Sequence, residues 1–240
     1  HRITGAKQPR DRKRLRIAVA SDLHLGTIVG RRHLERLVRC VEEIKPDLVL
    51  LPGDVLDDHV EPYIRNNLAE TMRKLQAPLG VYAVLGNHEY YGGNLPLFLE
   101  QLKAGGIRVL LDETAAVGDV IIAGRQDITA EEARFGGRRL PLTELLAGID
   151  RSAPIVLLDH QPVRLNEAEE QGVDIVLCGH THRGQMAPNH LLTRRLFEVD
   201  WGYKRKGGMH VFVSSGFGTW GPPVRIGSRS EVLAIDVSFQ

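Results

Sequence analysis

Apolar positions in this chain gather into short runs separated by longer amphipathic stretches. Residues 15–20, 48–51, 81–85, 155–158 and 173–178 are nearly continuous in Val, Ile, Leu and Ala, which predicts strands buried in a sheet. Between the first two runs, Leu34, Leu37, Val38, Val41 and Ile44 recur on one face at helical spacing. They predict a helix over Arg31–Ile44 that stops before Pro46. A second helix is predicted over residues 61–75, ending near Pro78. Strand and helix alternate through this half, as βαβ units do.

The second half has a different rhythm. Residues 109–111, 115–117 and 120–123 are short and closely spaced, predicting a meander that begins a second sheet. A helix near 142–147 precedes the run that ends before His160, and 209–214 with 231–237 are expected to close that second sheet. Residues 189–201 read as a loop. Residues 1–14 are basic without an apolar period and read as an N-terminal arm. With no internal repeat or low-complexity linker, residues 15–240 read as one domain.

Side chains able to bind metal follow the strands in one order: Asp22-Leu23-His24, Gly53-Asp54, Gly86-Asn87-His88-Glu89, His160, and Gly179-His180-Thr181-His182. Open α/β sheets collect ligands where strand ends converge. In extended backbone, residues i and i+2 project to the same side, so Asp22 with His24, and His180 with His182, are expected to point inward as pairs. A lone carboxylate such as Asp54, after a strand-ending Gly, suits a bridge between two cations. Carboxylate, imidazole and amide donors without thiolate favour Mn, Fe or Zn over Mg or Ca. Two such cations about 3.5–4 Å apart polarise a phosphoryl oxygen and make water nucleophilic near neutral pH. Any one histidine alone is more simply a packed or solvent-exposed residue. Five of the chain's 10 histidines in strand-end motifs are not accounted for that way, and the set reads as a dinuclear metal hydrolase.

Asp-x-His, Gly-Asp, Gly-Asn-His-Glu, a middle His and Gly-His-x-His, in this order, resemble the motif series of the calcineurin-like metallophosphoesterases. The resemblance runs from about residue 16 to 237. It implies an α/β fold: a four-layer αββα sandwich of two mixed sheets flanked by helices, with the metal site at the strand C-terminal ends. Carried over by residue, it implies one metal held by Asp22, His24, Asp54 and His182. The other is held by Asp54, Asn87, His160 and His180. His88 matches the family's catalytic histidine, assisting at the phosphoryl and leaving-group oxygens. Two divalent ions are expected, Mn first, then Fe or Zn.

A narrower likeness is to small bacterial phosphodiesterases that are exported or tethered to membranes. It rests on Gly86-Asn87-His88-Glu89-Tyr90-Tyr91, Leu158-Asp159-His160-Gln161-Pro162, residues 179–185 and residues 216–222. Arg183 departs from that branch, which has Gly there; a long cation either contacts a phosphate or reshapes the loop.

Composition adds limits. At 240 residues, 42% hydrophobic and 25% charged, the chain suits one soluble domain. A net charge of +1 gives no global argument for nucleic acid, and no basic run interleaves aromatics as a strand-tracking groove would. Cys40 and Cys178 read as small core residues, with a disulfide the alternative. No run reaches the roughly 18 apolar residues of a membrane span. The chain begins at His1 rather than Met, which fits a processed chain or a fragment with targeting segments out of view.

Other residues are open to two readings each. Asp57 and Asp58 either orient metal ligands or, as the simpler reading, cap the turn before Pro62. Tyr90 or Tyr91 lines the substrate pocket or packs on its loop. Arg125 binds a phosphate with its planar fork, or pairs structurally with Asp127. Residues 189–201 mix Leu191, Leu192, Leu196, Phe197 and Trp201 with Arg194 and Arg195, and either meet a lipid or membrane surface or cover a sheet edge. Residues 1–16 carry seven cations against one acid, Asp11, and would be drawn to anionic headgroups beside an anchor. Phosphodiester or pyrophosphate hydrolysis on a lipid-linked or envelope substrate, by a monomer associated with the membrane or exported, is the function expected. A phosphomonoesterase is the alternative, and a non-catalytic scaffold is disfavoured because every motif position is intact.

Overall fold

The computed structural model describes residues 1–5, 7 and 12–239. Each long apolar run forms a strand that divides its side chains between two cores. The first sheet contains β1 (Arg2–Gly5), β2 (Arg14–Val19), β3 (Leu48–Pro52), β4 (Val81–Val84), β5 (Arg108–Val109) and β12 (Leu233–Phe239). The second contains β6 (Glu113–Val117), β7 (Val120–Gly124), β8 (Ile155–Leu158), β9 (Ile175–Cys178), β10 (Gly202–Lys206) and β11 (Met209–Val213). Their orders are β1-β12-β2-β3-β4-β5 and β10-β11-β9-β8-β7-β6. The inner strands run parallel, with antiparallel pairs β12–β2, β10–β11 and β6–β7.

Alternation explains the layering. Leu15, Ile17, Leu48 and Leu50 of the first sheet face Val156, Leu158, Ile175 and Leu177 of the second, forming a core between the sheets. The intervening Ala18, Val49 and Leu51 pack outward on α1 (Arg31–Ile44), α3 (Leu68–Met72) and α5 (Leu95–Ala104). On the far side, Ile155, Leu157, Val176 and Cys178 pack on α6 (Leu142–Leu145) and α7 (Leu165–Glu170). The result is an αββα sandwich. The helix α1 has the predicted bounds, and Lys45 leaves it in the left-handed region at φ 51° before Pro46.

Five expectations change. The predicted second helix is two short ones, α2 (Glu61–Arg65) and α3, because Asn67 sits between them at φ 47°. The run at 109–111 starts no meander: β5 pairs parallel with β4 after the α5 crossover, so it belongs to the first sheet. The last strand, β12, also joins the first sheet, antiparallel to β2, rather than closing the second. Within the basic N-terminal stretch, Arg2–Gly5 pair parallel with β12; Arg10 and Asp11 of its charge cluster lie outside the described residues. Residues 189–201 are not all loop, since α8 spans His190–Leu196. Both cysteines are free thiols, Cys178 buried and Cys40 half-buried. Among the described residues no helix is long and apolar enough to cross a membrane.

Burial separates α1 from α8. Leu37→Ala, at a fully buried position of the outer core, is expected to cost about 2–5 kcal/mol in urea unfolding, because it opens a cavity. Leu196→Ala, at a position 66% exposed, should change stability by no more than about 0.5 kcal/mol.

Candidate active site

The parallel strands of both sheets end on one side of the sandwich. Asp22 and His24 follow β2, Asp54 follows β3, and Asn87 opens α4 (Asn87–Tyr91) after β4. From the second sheet His160 follows β8, and His180 and His182 follow β9. Extended i,i+2 geometry does not aim them. Asp22, His24, Asp54, His180 and His182 all have left-handed backbones, with φ of 52°, 46°, 51°, 71° and 49°. L-residues adopt this region at a cost, and such positions concentrate at functional sites.

The turns bring two groups together. Ligand atoms of Asp22, His24 and His182 all lie within 4.8 Å of one another, as do those of Asp54, His160 and His180. Asp54 reaches toward both: its Oδ2 is 3.1 Å from His160 Nε2 and 3.8 Å from His24 Nε2. The Asn87 amide oxygen stands 2.9 Å from His180 Nδ1 and 3.2 Å from His160 Nε2. His24 Nε2 and His182 Nε2 converge at 2.9 Å. Glycines make the approach possible. A Cβ on Gly86 would strike the Asp54 carboxylate, and one on Gly179 would strike Asp22 Oδ2 and Ser21 Oγ.

A family model described as calcineurin-like phosphoesterase matches residues 15–184. The chain is 36% identical over 227 residues to an uncharacterized metallophosphoesterase of Aquifex aeolicus, spanning 93% of this chain and 85% of that protein. This chain belongs to the calcineurin-like phosphoesterases, a family of hydrolases acting on phosphoric esters. It is also 36% identical over 243 residues to the Danio rerio "Transmembrane protein with metallophosphoesterase domain", covering 97% of this chain but 55% of that protein. The chain thus spans about half the length of that relative. A dimetal phosphatase from Danio rerio shares the fold, with a TM-score of 0.55 at 14% identity over 92% of this chain and 98% of that one.

Donor chemistry in this metallophosphoesterase fits divalent cations. Asp22 Oδ2 and His24 Nδ1 are buried without a hydrogen-bond partner, although Asp57 Oδ1 stands 3.4 Å from the latter. Burial pushes the Asp22 carboxyl up from its ordinary range. Burial would raise Asp54 as well, but His160, His24 and His88 around it hold it well below the usual carboxylate range. The imidazoles split within each group. Burial opposes charge on His160 and His24, yet Asp54 lifts the first, and Asp57 with Asp54 the second. Burial and the neighbouring His160 push His180 down to about 4; burial and His24 lower His182. Within each group one imidazole is thus pushed toward its protonated form and the other toward neutrality.

Backbone partners fix the remaining ring nitrogens. His160 Nδ1 donates to the Pro52 carbonyl at 2.8 Å, leaving Nε2 for the site. His88 Nδ1 donates to the Asp57 carbonyl at 2.6 Å, with Asp58 Oδ1 at 3.0 Å, so its Nε2 is free. Asp57 and Asp58 thus orient imidazoles. Ligand atoms of His24, Asp57 and His88 also lie within 4.8 Å of one another, a third grouping beside the two above. The sequence reading gave Glu89 no role of its own. It is 2% exposed, and its carboxylate accepts from the N–H groups of Gly86 (2.7 Å), Leu56 (2.8 Å) and Asp54 (3.2 Å), pinning two motif turns to each other. Burial, reinforced by Asp54, raises its pKa to about 7. Its signal was the Glu of Gly-Asn-His-Glu at the third position of a helix.

The cavity over the site holds about 640 Å³ and is lined by His88, Tyr91, His180, Leu192 and Trp220 among others. Tyr91, not Tyr90, faces it; Tyr90 donates its hydroxyl to Gln126 at 3.2 Å. Arg125 is drawn elsewhere, 3.6 Å from Asp159 and 3.7 Å from Glu167, beside a separate cavity. Arg183 stacks on Trp201, its guanidinium carbon 3.8 Å from the ring centroid.

The charge split fixes the sign of a pH effect. Neighbouring carboxylates push His24 and His160 toward the protonated form, and only neutral imidazole ligates, so loading should release protons and tighten as pH rises. Calorimetric Mn²⁺ titration in buffers of different ionisation enthalpy should report net proton release on filling the site pair. Release of none would contradict the protonated form assigned to these two imidazoles.

Proposed function

We propose that this domain hydrolyses phosphodiester or pyrophosphate bonds with two divalent cations, manganese foremost. Asp22, His24, Asp54 and His182 would hold one, and Asp54, Asn87, His160 and His180 the other. The Asp54 carboxylate, between two imidazole groups at 3.1 and 3.8 Å, is the observation that carries this reading. Cations there would supply Lewis acidity to a phosphoryl oxygen and make water nucleophilic near neutral pH. His88, its Nδ1–H held by the Asp57 carbonyl, lines the cavity with Nε2 left over; as imidazolium it would give the Nε2 proton to the departing oxygen and be left as the neutral Nδ1–H ring. Asp57 and Asp58 keep that ring in one tautomer.

The cavity lining favours a diester over a monoester. Among the described residues it includes no lysine or arginine. A monoester dianion is usually matched by such cations, whereas a diester brings one charge and two substituents. Leu192, Tyr91 and Trp220 offer apolar surface to such a substituent, which supports a lipid-linked or cell-envelope substrate for a protein working at a membrane. The relative named as a transmembrane protein agrees with that setting.

Two measurements test this. The Mn²⁺-loaded chain should cleave bis-nitrophenyl phosphate with kcat/KM at least about tenfold above nitrophenyl phosphate. The reverse preference would make it a phosphomonoesterase. His88→Asn should keep its metal content and lose roughly 10²–10⁴ in kcat. Loss of a metal instead would make His88 a ligand, as its grouping with His24 and Asp57 allows.

A further inference from the structure

The exposed apolar residues of this molecule are concentrated around the mouth of the site. On α8, Leu191, Leu192 and Leu196 are 56%, 59% and 66% exposed, and none of the helix's residues is buried. Trp220, Val224 and Ile226 are 54%, 45% and 54% exposed. The two segments form one rim. Gln185, just before α8, donates to the Trp220 carbonyl at 2.7 Å and accepts from its N–H at 2.8 Å. The Ala187 N–H donates to the Ile226 carbonyl at 2.7 Å. Leu192 and Trp220 line the same cavity as His88.

Charge within these two segments is positive, and the acids Glu198, Asp200 and Glu231 flank them. Residues 183–197 and 214–230 contain Arg183, Arg194, Arg195, Arg225 and Arg229 and no aspartate or glutamate. The Arg183–Trp201 stack lies at its base. A folded protein seldom leaves leucines this open on a short helix unless something covers them. Leucine and tryptophan interleaved with arginine match the boundary between acyl chains and anionic headgroups.

We propose that this rim docks on an anionic bilayer, so that a phosphoester headgroup enters the cavity from the lipid side. This deepens the hydrolytic reading and rests on it for the nature of the headgroup. It differs from the expectation that the basic N-terminal stretch binds the membrane. Arg2, Arg14 and Lys45 surround a cleft at the opposite end of β2, where that strand begins. Six strand residues, about 20 Å, separate this pole from Asp22, so the two patches lie at opposite ends of β2. The rim, not the basic pole, is the face assigned to the membrane.

Vesicle co-sedimentation of the 240-residue chain tests the proposal, with phosphatidylglycerol–phosphatidylcholine mixtures against phosphatidylcholine alone. The wild type should bind the anionic vesicles more strongly. Leu191→Glu with Leu196→Glu, and separately Ile226→Glu, should each reduce that binding about tenfold or more. Arg2→Glu with Arg14→Glu should leave it within about twofold. None of these residues lines the cavity, so cleavage of bis-nitrophenyl phosphate should be unchanged in all variants, which also reports intact folding. Four results overturn the proposal: no binding by the wild type, equal binding by the rim variants, loss through the basic-pole variant, or a dimer that the rim substitutions dissolve. Vesicle binding without diester cleavage would count against the hydrolytic reading and leave the docking surface standing.

Discussion

Asp22 and Asp54 are carboxylates 0% and 2% exposed, and their ion-pair partners among the described residues are histidines. A buried charge without a matching one is among the costliest features a fold can carry. Here the surroundings push four imidazoles in opposite directions. His24 and His160 are driven to hold a proton; His182 and His180 are driven to stay neutral. Two points of required positive charge result, with Asp54 between them. Divalent cations satisfy that requirement better than protons do, because each can be shared by several donors at once.

The sandwich exists in the form that meets this constraint. Its parallel strands deliver carboxylates from one sheet and imidazoles from both to a single edge, and the core between the sheets fixes the spacing. Glu89 adds a clamp by holding the backbone of Asp54 and Gly86 together. The left-handed turns at five donor residues carry conformational cost that the surrounding strands sustain. Toward solvent the same edge changes character, from buried ligands to an apolar, cationic rim.

Much of this was legible in the sequence. The strand runs, the α1 helix and the motif residues that converge could be read because hydrophobic period and donor chemistry are local properties. Sheet membership could not. Whether β5 or β12 joins the first or second sheet depends on partners more than 20 positions away, and nothing in either strand's composition encodes it. The direction of Asp22 and His24 was right for the wrong reason, since left-handed turns rather than an extended chain aim them. Arg125 looked apt for phosphate by its chemistry, yet Asp159 and Glu167, distant in sequence, claim it. The α8 helix was hidden because leucines and arginines on an uncovered helix have no buried face to impose a clear stripe.

The central claim is that Asp54 bridges two cations held by otherwise separate donor groups. Anomalous diffraction from crystals of the manganese-loaded protein examines it directly. Two peaks should flank the Asp54 carboxylate, one against His24 and His182 and the other against His160 and His180. A single peak, or a peak enclosed by His24, Asp57 and His88 with Asp54 turned away, would contradict the account.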